Sequence, residues 1–159
     1  MQRGWPKSIM TERDEKGAEF RSKMTTLELV GLMLPFLTIP HIVRGRHIIL
    51  GVDNVSVVHA WENKSVKRDL TASALVRALM VVAAFLECRV YTRHVTRLST
   101  EASQLADSLT RNTTATEAVW AKVQGAMQLD PPQALWALLD KLTTDWQLGF
   151  KLVDVLKNL

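Results

Sequence analysis

The chain has 159 residues and a mass of 17.9 kDa, with 47% hydrophobic and 23% charged residues. This length suits one domain, and this balance excludes a disordered chain, a collagen-like repeat and a disulfide scaffold. The 20 lysines and arginines outnumber the 16 acidic residues, and residues 41–111 hold 10 of the basic and 6 of the acidic ones. A mildly basic segment suits a polyanionic partner, but it equally suits a solvated surface.

The single cysteine, Cys88, excludes an internal disulfide and a cysteine-based zinc site. It favours an intracellular reducing compartment, either cytoplasm or nucleus. The longest apolar run, Ala78 to Leu86, has nine residues, whereas about 20 are needed to span a bilayer. The sequence therefore predicts that no membrane is involved.

The first predicted elements are an arm and a helix. Residues 1–25 are polar and interrupted by glycine and proline, which predicts an irregular arm with one short strand near residues 5–10. Thr25 or Thr26 is then expected to cap a helix that carries Glu28 in its first turn. Pro35 should kink or end this helix, because proline lacks the backbone N–H.

Two short segments rich in β-branched residues, 47–52 and 89–95, predict strands, and the first reads as a buried strand. Between them the sequence predicts a short helix at 55–61, a charged loop at 62–69 and an alanine-rich helix at 70–87. A strand–helix–strand order implies a parallel pair joined by a crossover. The predicted fold class is therefore α/β.

The remaining residues predict helices. One begins at Thr100 and leads to Arg111, and a polar break at 112–116 marks a candidate boundary. Further helices are expected at 116–128, 132–142 and 146–158. The predicted organisation is an arm at 1–25, a core at 26–111 and an all-helical C-terminal extension at 112–159.

Three carboxylates and a histidine are the candidates for chemistry, namely Glu28, Asp53, His94 and Asp107. An acid at the carboxyl end of a parallel strand lies where α/β proteins place their ligand crevices. Converging carboxylates bind Mg²⁺ through oxygen, and two such ions can promote hydrolysis of a phosphodiester. Spacing alone leaves the alternatives open, because these acids also suit a helix start, a turn and a solvated helix face.

Three stretches carry a family resemblance: TTLELVGLMLPFL, GRHIILGVDNVSVVHAWE and ECRVYTRHVTRLSTEASQLADSLTR. The order of a helix acid, a strand ending in Asp-Asn, and a His strand followed by Ala-Asp-x-Leu-x-Arg resembles the ribonuclease H-like domain of eukaryotic retroelement reverse transcriptases. Within this family, the sequence resembles the DIRS-like elements, which carry a tyrosine recombinase. The resemblance covers about residues 5–111.

The resemblance implies a ribonuclease H-like fold and cleavage of the RNA strand of an RNA–DNA hybrid, with two Mg²⁺ or Mn²⁺ ions held by four carboxylates. Glu28 matches the family's helix carboxylate. Asp53 matches the second of its strand carboxylates, and Asp107 matches the carboxylate of its last helix. His94 matches the histidine at the end of the last strand. The implied partners are an RNA–DNA hybrid or other nucleic acid and the rest of the reverse transcriptase polyprotein.

The sequence departs from the family in two places. Residues 96–100, TRLST, lack the glycine and asparagine that the family usually has before the last helix. No residue matches the family's first aspartate, on a central strand within a three-stranded hairpin. We therefore expect an N-terminally truncated domain that is inactive alone, which leaves open whether this chain is an enzyme. The alternative is a non-catalytic nucleic-acid-binding or interaction module of the same fold.

Basic residues in loops and at element ends are expected near the site face, where they would contact the phosphate backbone. The predicted set is Arg44, Arg46, Lys64, Lys67, Arg68, Arg93 and Arg97.

Overall fold

The computed structural model describes residues 21–67, 69–96 and 147–158, together with Gln133. We number the helices and strands of this part in chain order. They are α1 (Arg21–Thr38), α2 (Pro40–Val43), β1 (His47–Val52), α3 (Val55–Asn63), α4 (Leu70–Phe85), β2 (Arg89–His94) and α5 (Leu148–Lys157). The predicted mixture of helices and strands is confirmed.

The two strands form a parallel sheet in which His47 pairs with Arg89 and Val52 pairs with His94. Helices α3 and α4 lie between β1 and β2 in the chain. The predicted strand–helix–strand unit is therefore confirmed. Strand β1 has the predicted bounds, and β2 ends one residue before the predicted limit.

The hydrophobic core lies between the helices and one face of the sheet. Its largest fully buried side chains include Phe36, Leu75, Leu79 and Leu152, which come from α1, α4 and α5. On the sheet, Ile48, Leu50 and Val90 are half-buried against this core. The opposite face of the sheet is exposed, so the prediction that β1 is buried is wrong for every second residue. Strand side chains alternate between two faces, and the core covers one of them.

Helix α1 begins at Arg21, so the prediction that Thr25 or Thr26 caps it is wrong. Both threonines are buried inside the helix. Packing against the core stabilises this helical turn, although threonine by itself favours a capping position. Glu28 is the eighth helical residue, so it does not lie in the first turn. Pro35 does not end the helix, which continues to Thr38.

Side-chain hydrogen bonds fix the start of α4. The carboxylate of Asp69 accepts a hydrogen bond from the backbone N–H of Ala72 at 2.8 Å, which makes Asp69 the N-cap. The buried Ser73 hydroxyl accepts from the N–H of Val66 at 2.8 Å and donates to the carbonyl of Val66 at 3.0 Å. These bonds hold the segment before α4 against its first turn.

Helix α5 confirms part of the helix predicted at 146–158, and it packs into the core through Leu148, Leu152, Val153 and Leu156. Gly149 permits a close approach to α4. A β-carbon at this position would lie 2.8 Å from Cβ of Val81 and 3.0 Å from Cα of Ala78. The end of the chain thus belongs to the same core as α1 and α4.

Several predictions fall outside the described residues. These are the strand near 5–10, the helices at 100–111, 116–128 and most of 132–142, and the boundary at 112–116. Among the helices that the structure describes, none is long and apolar enough to cross a membrane.

Candidate functional site at the carboxyl edge of the sheet

Asp53 and His94 lie at the same edge of the sheet. Asp53 directly follows the last residue of β1, and His94 is the last residue of β2. The pairing of Val52 with His94, continued by a 2.9 Å hydrogen bond from the N–H of Val95 to the carbonyl of Val52, places both strand ends level with one another. Both side chains are exposed. The backbone positions of Asp53 and His94 therefore lie at one edge of the sheet.

Asn54 has a structural role beside this edge. Its side-chain oxygen accepts a hydrogen bond from the N–H of Ser56 at 2.9 Å, which makes it the N-cap of α3. The two residues therefore differ in role. Asn54 caps the helix, while the Asp53 carboxylate lies exposed one residue earlier. The turn chemistry that the sequence left open is observed for the asparagine.

Glu28 lies on a different element. It is half-buried on α1, with its Oε2 atom shielded from solvent. Helix α1 contacts α3 and α4. Within residues 21–67, 69–96 and 147–158, no three His, Cys, Asp or Glu side chains are grouped closely enough to hold a metal ion. Glu28, Asp53 and His94 by themselves therefore do not form a metal centre.

The basic residues are less concentrated than predicted. Arg44 and Arg46 precede β1, whereas Asp53 follows it, and six strand residues at about 3.3 Å each separate the two ends by roughly 20 Å. The prediction that Arg44 and Arg46 lie near the site face is therefore wrong. The length of β1 is the reason, because the residues before and after an extended strand lie at its opposite ends.

Two of these cations pack on aromatic rings. The guanidinium of Arg44 lies 5.3 Å from the ring centroid of Phe85, and the ammonium of Lys64 lies 4.6 Å from the ring of Trp61. Lys64 and Lys67 follow the last residue of α3, the end of that helix far from Asp53. Arg93 is different, because it is the penultimate residue of β2 and pairs with Gly51 beside the site edge.

The remaining predicted residues, Arg68, Arg97 and Asp107, lie outside the described residues. Sequence reasoning also missed Tyr91 and Arg89, which are exposed on β2. Their signal was the alternation within RVYTRH, because residues 89, 91 and 93 share one face of a strand.

Comparison of the chain with protein-family models, curated proteins and solved structures finds no match.

Proposed function

We propose that this chain contributes to a ribonuclease H-like domain of a retroelement reverse transcriptase, which hydrolyses the RNA strand of RNA–DNA hybrids. The observation that carries this proposal is the placement of Asp53 and His94 at one carboxyl edge of a parallel strand pair. That edge is where open α/β sheets bind their ligands. The order of helix acid, strand acid and strand histidine along the chain supports the same assignment.

Divalent cations would supply the chemistry by polarising the phosphodiester and lowering the pKa of an attacking water. The described residues do not assemble such a site, since no three candidate ligands are grouped there. The proposal therefore requires Asp107, which lies outside the described residues, and a further aspartate that none of the 159 residues matches. Strand β1 has β2 on one side only among the described strands. A strand on its other side would place that aspartate next to Asp53.

The test is cleavage of a labelled RNA–DNA hybrid in Mg²⁺ or Mn²⁺. We expect the 159-residue chain to cleave weakly or not at all, and a chain extended by a strand carrying an aspartate to cleave. Asp53→Asn should abolish that activity, because it removes a carboxylate without changing size. Asp154→Asn is the matched control, since Asp154 is an exposed acid on α5 that pairs with Lys157 at 3.2 Å.

Circular dichroism of each variant establishes that it folds. Two results would contradict the assignment. One is a folded, extended chain that does not cleave the hybrid, and the other is equal cleavage with and without Asp53→Asn.

A second candidate is a non-catalytic nucleic-acid-binding module of the same fold. The exposed side chains of Arg46, Lys67 and Arg93 favour it, because they offer positive charge that does not depend on Asp53. A binding module should retain its affinity for the hybrid after Asp53→Asn and should show no cleavage in any divalent cation. The two candidates thus differ in the response to one substitution.

A further inference from the structure

The outer sheet face is the side of the β1–β2 sheet that points away from the helical core. It consists of His47, Ile49 and Gly51 on β1 and of Arg89, Tyr91 and Arg93 on β2. Tyr91 is 51% exposed and Ile49 is 70% exposed. Parallel sheets in proteins are normally covered on both faces, so an exposed face of this kind marks a surface for a partner.

The geometry of this face combines aromatic rings with flanking cations. The rings of His47 and Tyr91 lie 6.3 Å apart between centroids, on neighbouring strands, with an angle of 42° between their planes. Arg89 and Arg93 lie two residues before and after Tyr91, and therefore about 6.6 Å along the strand on the same face. Gly51 pairs with Arg93, and the side chain of Val95 lies 3.4 Å from where a β-carbon of Gly51 would be.

The charge on the face selects among possible partners. None of its six residues is acidic, and two of them are arginines. An apolar helix laid across this face would bury both guanidinium groups without partners, which is strongly unfavourable. A partner that supplies anions beside flat rings satisfies both features, because phosphates pair with arginine and bases stack on aromatic side chains.

We propose that the outer sheet face binds single-stranded nucleic acid. A base stacks on Tyr91, a neighbouring base contacts His47 and Ile49, and Arg89 and Arg93 bind the flanking phosphates. A duplex suits the face less well, since its bases are stacked on one another and do not present their faces to a protein. Binding at this surface does not involve Asp53, which lies at the carboxyl edge, so it stands whether or not the chain takes part in hybrid cleavage.

The first experiment uses Tyr91 as a unique reporter. The sequence has one tyrosine, so protein labelled with 3-fluorotyrosine gives a single ¹⁹F resonance from Tyr91. We titrate it with a short oligothymidylate in EDTA, which removes any contribution from a cation site. A saturable shift of this resonance is the expected result. A resonance that does not move while the oligonucleotide binds would overturn the proposal.

The second experiment measures oligothymidylate affinity by fluorescence anisotropy. Tyr91→Ala should weaken binding by about ten-fold or more, and Tyr91→Phe should retain it, because stacking needs the ring and not the hydroxyl. Arg89→Gln and Arg93→Gln should each lower the slope of log K against log salt by about 0.7. Arg77→Gln is the matched control, since Arg77 is an exposed arginine on α4.

Three outcomes would contradict the proposal. One is equal weakening by Arg77→Gln and Arg93→Gln, which would indicate attraction by net charge alone. Another is tighter binding of duplex than of single strand with no effect of Tyr91→Ala. The third is a dimer in sedimentation equilibrium that Tyr91→Ala dissociates, which would make the face an interface between two copies of the chain.

Discussion

The two faces of the β1–β2 sheet come from the same twelve residues and have opposite environments. On the inner face, Ile48 and Leu50 are half-buried and Val52 is buried against the helical core. On the outer face, Ile49 is 70% and Tyr91 51% exposed. Apolar composition is therefore a poor guide to burial in this sheet. The position of each residue on one side or the other of the strand decides its environment.

This difference separates the side chains that stabilise the fold from those that contribute little to it. The inner face and the helices form one cluster that runs from Leu29 in α1 to Leu156 in α5. The outer face contributes little to that cluster, so its side chains can change with little effect on folding. The predictions that follow test how sharply this division holds.

The largest expected effect comes from the core. Phe36 is fully buried on α1, and Phe36→Ala should lower the free energy of unfolding by about 3–5 kcal/mol, because it removes a ring and leaves a cavity. Ile49→Ala on the outer face should change it by no more than about 0.5 kcal/mol. Urea denaturation followed by circular dichroism measures both. Comparable losses would show that the outer face is covered in the folded protein.

A pair of glycines tests the contact between α4 and α5. Gly149→Ala should destabilise the fold by about 1–3 kcal/mol, because the new β-carbon would lie within 3.0 Å of Ala78 and Val81. Gly31→Ala in α1 is the matched change, since a β-carbon there meets nothing within 4 Å. It should stabilise the protein by roughly 0.5–1 kcal/mol through helix propensity.

Thermal unfolding of the two glycine variants should therefore shift in opposite directions. A stabilising effect of Gly149→Ala would mean that α5 does not pack closely on α4.

The smallest of the three destabilising effects concerns the edge that carries Asp53. Asn54→Ala removes the cap of α3 and should cost about 1 kcal/mol of unfolding free energy. Asn54→Asp keeps a side-chain oxygen for the N–H of Ser56 and should cost much less. Both stabilities are read from denaturant midpoints. If alanine and aspartate behave alike, the hydrogen bond to Ser56 is not what begins α3.

Local features of the sequence predicted most of the described elements. The run HIILGV is rich in β-branched residues and bounded by Arg46 and Asp53, and β1 has those limits. The stretch from Leu70 to Phe85 contains no glycine or proline, and α4 occupies it. The shared edge of Asp53 and His94 was predictable from the strand–helix–strand order, because it implies parallel strands whose carboxyl ends lie at the same edge.

The sequence failed where distant residues decide the outcome. Thr25 and Thr26 are buried within α1, where tertiary packing outweighs their preference for capping. The separation of Arg44 and Arg46 from Asp53 is different, because the six extended residues of β1 already imply it.

The sequence by itself determined which segments become helix or strand, since propensity, capping residues and alternation act within a few neighbouring residues. Only the tertiary structure decided which face of β1 and β2 meets the core, because that choice depends on helices far away in the chain. It set the register that pairs Val52 with His94, and it placed Gly149 against α4. Contacts between residues far apart in sequence set these positions.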